Sequence, residues 1–368
     1  MDSPESKIKG FASTLGFSHV GISAVDEGET IPFLQEWLSD GFHGEMKYME
    51  NPARQSVAHV YDNIHSIVVV AMNYRWPADQ DHALQEAMIS KYAWSADYHA
   101  VMKPRLQQMA QLIQQLGGPN TRAYVDTGPV AEKYWAMKAG IGWIGKHTNV
   151  ISSKGSSWLF LGVVLTDLRL VPDSIAVDHC GTCSRCITAC PTGAIVAPYV
   201  LDARLCISYL TIELKGSTPR HLRAAIGNRI FGCDDCQDVC PWNRFAFVGD
   251  PQFTPRADIL AATLCDYLTL TPQEFRARFA GTNVLRAKYR GFIRNCLVAA
   301  GNARKVELRS EIERHLNSED PMIREHAVWA LAQYNDDEAW HKLKTLREIE
   351  SNTGVLEELD FWNKQVSL

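Results

Sequence analysis

Cysteines are the residues whose spacing most plainly implies chemistry in this chain. It holds ten, none before Cys180, and eight fall between Cys180 and Cys240. Cys180, Cys183, Cys186 and Cys190 read C-x2-C-x2-C-x3-C, with Pro191 directly after. Cys233, Cys236 and Cys240 read C-x2-C-x3-C, again followed by proline, and Cys206 stands alone between the groups. Zinc sites favour two C-x2-C pairs separated by a longer loop, not a four-cysteine run ending in proline. A run of this kind uses three closely spaced thiolates for one [4Fe–4S] cluster and sends the fourth across to another. The spacing therefore predicts one cluster on Cys180, Cys183, Cys186 and Cys240, and a second on Cys190, Cys206, Cys233 and Cys236. Exchange of single ligands between the two sets stays open. Each proline turns the chain away after a crossing cysteine and removes an N–H from a crowded turn. Cys265 and Cys296 are isolated and read as small buried residues.

A second candidate is Asp126 in "YVDTGPV", at the end of a predicted strand and ahead of a predicted helix. It could be a turn or N-cap aspartate, or a general acid held at a strand end beside a cofactor. No G-x-x-x-x-G-K-[ST] and no G-x-G-x-x-G occurs after a strand, so nucleotide binding has no support. "GIGWIGKHTN" (140–149) is glycine-rich and carries Lys146 and His147, but taken alone it could be a tight turn.

The elements that must position these groups follow from hydrophobic periodicity. "HSIVVVAMNY" and "SSWLFLGVVLTD" read as buried strands, and "KPRLQQMAQLIQQLG" as an amphipathic helix ended by glycines. Strands alternating with helices argue for an α/β or α+β domain over 1–170 with a sheet at its centre, and the α/β arrangement is the one expected. A ferredoxin-like domain with two clusters is expected over 171–250. A linker and HEAT-like helical repeats are expected over 251–368, where "SEDPMIREHAVWALAQ" has a polar turn, a proline at a helix start and an apolar stripe. The whole is expected to be an α+β multidomain protein.

Composition narrows the class. The chain has 368 residues, 46% hydrophobic and 21% charged, with a formal net charge of −5. That balance predicts no general affinity for nucleic acid. The N-terminus shows neither a signal-peptide core nor a twin-arginine pair, and no apolar run is long enough to span a bilayer. A cytoplasmic monomer without membrane association is expected, in a setting that keeps thiols reduced.

"YVDTGPVAEKYWAMKAGIGWIGKHTNVIS…GSSWLFLGVVLTDL", followed by the double cysteine set, resembles the epoxyqueuosine reductases. The likeness runs from "KYMENPARQSV" through "KYAWSADYH" to the C-terminal helices. It implies a cobalamin-dependent iron–sulfur enzyme that reduces epoxyqueuosine to queuosine at the wobble position of tRNA, supplied by an external low-potential electron donor. By the same resemblance Asp126 is the proton donor, with a pKa raised by burial against the corrin ring. Ser208 and Lys215 would lie near the corrinoid, and Arg54, Tyr98, His99 and Lys146 would line its cavity. The closest string to the Asp-x-His-x-x-Gly cobalamin motif is "DYHAVM", which ends in methionine, so His99 is not assigned as a cobalt ligand.

Between Gly281 and Val306 the chain carries Arg286, Lys288, Arg290, Arg294, Arg304 and Lys305 with no acidic residue. Arg286, Lys288, Arg290 and Arg294 are the expected contacts to the tRNA anticodon stem-loop. A second acid-free stretch holds Arg220, Arg223 and Arg229, and the acidic tail from Glu348 to Asp360 is expected to lie away from RNA. Two rival readings are weaker. A corrinoid dehalogenase would carry an export signal, and a simple electron carrier leaves some 170 residues before the clusters unexplained.

Overall fold

An uninterrupted apolar run can be a strand only if both of its faces are covered. The run Ser66–Asn73 meets that condition: all eight residues are buried. In the computed structural model, which describes residues 2–25, 31–60, 62–77, 86–152, 154 and 156–366, this run is β2 of a four-stranded sheet. The other strands are β1 (His19–Ala24), β3 (Thr121–Tyr124) and β4 (Leu159–Thr166), in the order β1-β2-β4-β3. Three helices accompany the sheet: α1 (Pro4–Thr14), α2 (Tyr98–Gln115) and α3 (Glu132–Lys138).

Ile67, Val69 and Ala71 share a buried cluster with Trp135, Ala136 and Ala139 at α3. On the other face, α2 presses Leu106 and Met102 so close to Gly162 of β4 that a Cβ there would meet Leu106 at 2.8 Å. A Cβ at Gly21 of β1 would meet the Ala139 carbonyl oxygen at 2.0 Å, so only glycine lets the strand approach the end of α3. Each fully buried valine of β2 stabilises this packing by about 1.5–3 kcal/mol.

Every pairing in the sheet is antiparallel. The first domain is therefore α+β, which corrects the α/β expectation. Alternation of strands and helices along a chain does not fix strand direction, and these connections return each strand beside an oppositely running neighbour.

The chain divides into two compact units. The first comprises Met1–Pro77, Ser95–Arg204 and Asp234–Pro255, and the second Ala78–Trp94, Leu205–Cys233 and Arg256–Leu368. These units cut across the bounds 170 and 250: Cys180, Cys183, Cys186, Cys190, Cys236 and Cys240 belong to the first unit, Cys206 and Cys233 to the second.

The second unit is mainly helical. Its main helices are α4 (Ile207–Ile212), α5 (Arg220–Ile226), α6 (Lys288–Ala303), α7 (Pro321–Ala332) and α8 (Thr353–Val366). α7 starts as its sequence suggests: Asp320 accepts from Met322 N–H, Pro321 opens the helix, and Ile323, Ala327, Ala330 and Leu331 are buried. The stretch expected to be a linker holds short helices at Ala257–Leu260, Leu264–Leu268 and Pro272–Arg278. The last two open on reciprocal capping boxes, Thr263 with Asp266 and Thr271 with Glu274. Among the described residues no helix is long and apolar enough to cross a membrane.

Candidate functional site

Asp126 lies two residues beyond β3 with φ +55°, in the left-handed region that aspartate tolerates better than most non-glycine residues. Its side chain is 64% exposed. His99 comes to it from the first turn of α2. Asp97 caps that helix by accepting from His99 N–H at 2.9 Å, and it also accepts from His99 Nδ1–H at 2.6 Å. With Nδ1 committed to Asp97, Nε2 faces Asp126 Oδ2 at 3.4 Å, an ion-pair distance outside hydrogen-bond range. Both ring nitrogens therefore face carboxylates. The Tyr98 ring stacks on His99 with centroids 4.1 Å apart and on Phe160 of β4 at 4.3 Å, which fixes the start of α2 against the sheet.

The electrostatics of the open site place the proton on the imidazole. Interaction with His99 holds the Asp126 carboxyl below its ordinary range against the opposing effect of burial, and Tyr98 and Arg54 act in the same direction. Burial pulls His99 down, but Asp126 and Asp97 together outweigh it and raise the imidazole to about 9. Near neutrality the proton of this pair thus sits on His99 while the site is open, because a cationic neighbour outweighs the loss of water. The raised pKa expected at Asp126 belongs to a site covered by a corrin ring.

Sequence reasoning missed Glu132. It is the first residue of α3, half-buried, and its Oε1 is buried without a hydrogen-bond partner. Burial, reinforced by the negative charge of Asp126, raises its carboxyl to about 7, with Arg54 opposing. Arg54 acts on both carboxyls, and its guanidinium lies 5.3 Å from the centre of the Tyr48 ring. The structure thus brings Arg54, Tyr98, His99 and Asp126 together. Ser208, on α4, and Lys215, exposed beyond it, belong to the second unit.

Lys146 is placed elsewhere. The glycine-rich segment is a β-hairpin in which Trp143–Ile144 pairs antiparallel with Val150–Ile151. A Cβ at Gly142 would meet the Ile151 carbonyl oxygen at 2.2 Å, so the glycine serves the hairpin. From its turn Lys146 Nζ donates to the carbonyls of Gly181 and Cys183 at 2.6 and 2.9 Å. The structure commits the Lys146 ammonium to the thiol loop, where the resemblance had it line the corrinoid cavity.

That loop borders a cavity of about 410 Å³ lined by Cys180, Cys183, Cys186 and Cys240, together with Lys146, His147, Trp242 and Arg244. All four thiols are free. Burial raises those of Cys180, Cys186 and Cys240 above the usual thiol range, so iron would displace protons on binding. Among the described residues no three His, Cys, Asp or Glu side chains group closely enough for a single metal ion. Thiols spread round a cavity suit a cubane better than one zinc. Two buried donors also lack partners here, Trp143 Nε1 and His147 Nε2. The remaining expected ligands are Cys190, whose sulfur accepts from Ala194 N–H at 3.2 Å; Cys236, on the short helix Asp235–Asp238; Cys206, immediately before α4; and Cys233.

The basic stretches are less free than the sequence suggests. Arg286, Lys288 and Arg290 are exposed, but Arg286 donates to both oxygens of Glu213 and Arg290 lies 2.6 Å from Asp320. Arg294 is 1% exposed and donates to the carbonyls of Leu210, Leu214 and Gly216. It is a structural residue, and its expected RNA contact is corrected: a guanidinium enclosed by backbone carbonyls has no face left for phosphate. Arg220 and Arg223 pair with Glu358, itself 1% exposed, and Arg223 also with Glu325. Part of the acidic tail is therefore buried against the second acid-free stretch.

Two family descriptions match the chain: a 4Fe-4S double cluster binding domain over residues 179–243, and epoxyqueuosine reductase QueG, DUF1730, over residues 54–127. The epoxyqueuosine reductase of Pseudomonas aeruginosa is 43% identical over 340 residues, covering 89% of this chain and 94% of its own. That of Escherichia coli is 39% identical over 336 residues, covering 89% and 88%. A crystal structure of epoxyqueuosine reductase with a tRNA-Tyr epoxyqueuosine-modified tRNA stem loop superposes with a TM-score of 0.88 at 26% identity, covering 99% of both chains. The Bacillus subtilis enzyme, with its catalytic aspartate loop swung out of the active site, gives 0.87 at 25% identity over 97% of both chains.

Proposed function

The chain belongs to the epoxyqueuosine reductase family, and from that premise we propose how its own residues serve the reaction. It is an oxidoreductase that reduces epoxyqueuosine to queuosine. Removing the epoxide oxygen as water consumes two electrons and two protons, and leaves a carbon–carbon double bond.

The residues here can supply and hold protons. Asp126 presents its carboxylate at the strand end, where it would protonate the oxygen released from the ring. His99 stores the proton that Asp126 lacks at neutral pH, and Asp97 holds the imidazole in orientation. The observation that carries this reading is the exposed Asp126 with His99 Nε2 at 3.4 Å, on a chain alike to its relatives over nine-tenths of its length.

Electrons require groups that side chains do not provide. The cavity lined by Cys180, Cys183, Cys186 and Cys240 fits a [4Fe–4S] cluster, and its unpartnered N–H donors suit sulfide or thiolate acceptors. Cys190, Cys206, Cys233 and Cys236 are the proposed ligands of the second, and an external low-potential donor would feed both. Cobalamin fits the proton-bearing site in kind: an exposed carboxylate, with polar atoms of His99 and Glu132 lacking hydrogen-bond partners, is a surface that a bound group would cover. Arg54, Tyr98 and His99, with Ser208 and Lys215, are the residues proposed to hold it. When bound, cobalamin supplies the low-potential reducing chemistry.

The substrate base belongs to tRNA, and the exposed Arg286, Lys288 and Arg290 are proposed to meet its phosphates. HEAT-like organisation of the C-terminal helices and a cytoplasmic, monomeric state complete the reading. The test is turnover. Protein reconstituted anaerobically with cobalamin and a strong reductant is mixed with epoxyqueuosine-bearing tRNA, and the nucleosides are analysed by mass spectrometry. Loss of one oxygen mass, absent in Asp126→Asn, is expected. Full conversion by Asp126→Asn would reassign the proton donor.

A further inference from the structure

The hairpin at 143–151 does more than carry Lys146 to the thiol loop. His147 is 3% exposed, and its Nδ1 accepts from Asn149 N–H at 3.2 Å. An imidazole that accepts at Nδ1 must carry its proton on Nε2 when neutral. That Nε2 is buried with no hydrogen-bond partner, and His147 lines the same cavity as Cys180, Cys183, Cys186 and Cys240. Trp143, on the first strand of the hairpin, is 2% exposed, packs with Cys240 and Cys180, and also leaves its indole N–H unpartnered. A buried unmade donor costs about 1–3 kcal/mol. Two on one hairpin, both beside the same four thiols, point to an acceptor that belongs there.

We infer that His147 Nε2–H and Trp143 Nε1–H donate to the sulfur atoms of the first [4Fe–4S] cluster and thereby raise its reduction potential. The inference rests on the iron–sulfur reading of this cavity. An N–H donor stabilises the extra negative charge of the reduced cluster more than that of the oxidised one, so each donor favours reduction. The step is a one-electron transfer: an external reductant loses one electron, the oxidised cluster gains it, and no bond to His147 or Trp143 forms or breaks. Both are positioning residues that act through the cluster.

The test is a redox titration of the loaded, full-length protein followed by electron paramagnetic resonance. Iron and sulfide analysis of the wild type checks separately that the clusters are present. In His147→Phe one of the two components should shift so that its reduced-to-oxidised ratio at a fixed potential falls about tenfold, equivalent to ~59 mV for one electron. The other component should stay where it is. His147→Gln, which restores an N–H donor, should recover part of the shift. Trp143→Phe keeps a ring and removes only the indole donor, and it should move the same component in the same direction. If His147→Phe does not load its clusters, Trp143→Phe with His147→Gln carries the test. Unchanged potentials in the loaded variants, or equal shifts of both components, would overturn the inference.

Discussion

Replacing Glu132 by Gln removes a titration while keeping the size of the side chain. In the folded protein burial raises this carboxyl from 4.5 to about 7. A raised carboxyl favours the fold while protonated, so its contribution is fully present below the unfolded pKa and is lost as pH rises through about 7. A shift of roughly 2.5 units, at about 1.36 kcal/mol each, costs the wild type about 3 kcal/mol once Glu132 is ionised. About 2 kcal/mol of this develops between pH 5.5 and 8, because near pH 5.5 the unfolded chain is already largely deprotonated. The amide that replaces the carboxyl in the variant has no such dependence.

The measurement is the thermal midpoint of anaerobic, cluster-loaded wild type and Glu132→Gln at both pH values. At about 2 °C or more per kcal/mol for a unit of this size, the variant should gain roughly 4 °C on the wild type between pH 5.5 and 8. Comparing differences across pH removes any constant packing effect of the amide. A gap that does not change with pH, or that narrows as pH rises, would refute the assignment of Glu132 as a carboxyl held neutral by burial.

Four further outcomes follow from the same structure. Asp126→Asn should lower turnover by about 10²–10⁴-fold while leaving iron content unchanged, as read by nucleoside mass spectrometry and iron analysis. Wild-type turnover should fall as pH climbs through about 9, where His99 loses its proton, and His99→Gln should show a low rate without that limb. Arg294→Ala should destabilise the second unit by at least about 3 kcal/mol by stripping donors from three carbonyls. Lys288→Glu should instead leave stability unchanged and reduce the salt slope of tRNA binding by about one or more.

What the sequence revealed, and what it hid, follows from which interactions are local. The two cysteine runs were legible because cluster geometry sets their spacing along the chain, and both fall within the match to a 4Fe-4S double cluster binding domain; Cys206, alone in the sequence, carried no such signal. β2 was legible because a fully buried strand must be apolar throughout. The short helices after residue 256 had a signal that periodicity passed over, the two Thr-x-x-Asp/Glu capping boxes. Arg294 was misread because a stretch without acids in sequence is not without acceptors in space. Its neighbours Phe292, Ile293 and Leu297 are all buried, and an arginine within such a run belongs to the interior. Glu132 carried no signal, since an acid in the first turn of a helix is ordinary. It is brought to Asp126 by the turn that Asp126 itself makes in its left-handed conformation.

The pairing of Asp126 with His99 also resolves an apparent conflict between a low carboxyl pKa and the role of an acid. In the open site Asp126 is 64% exposed and the pair is charged, carboxylate against imidazolium. Covering it with a substrate base and a cofactor removes that water. Desolvation raises a carboxyl and lowers an imidazole, so both changes push the proton from His99 towards Asp126. The charged pair would become a neutral one, which a low-dielectric site favours, and the proposed acid would be armed only when the reacting oxygen is in place. Asp97 keeps the imidazole oriented throughout, because its bond to Nδ1 survives the transfer. An aspartate with an already raised pKa would hold its proton in the empty site as well, whereas Asp126, as the proposed acid, would be loaded by the act of binding.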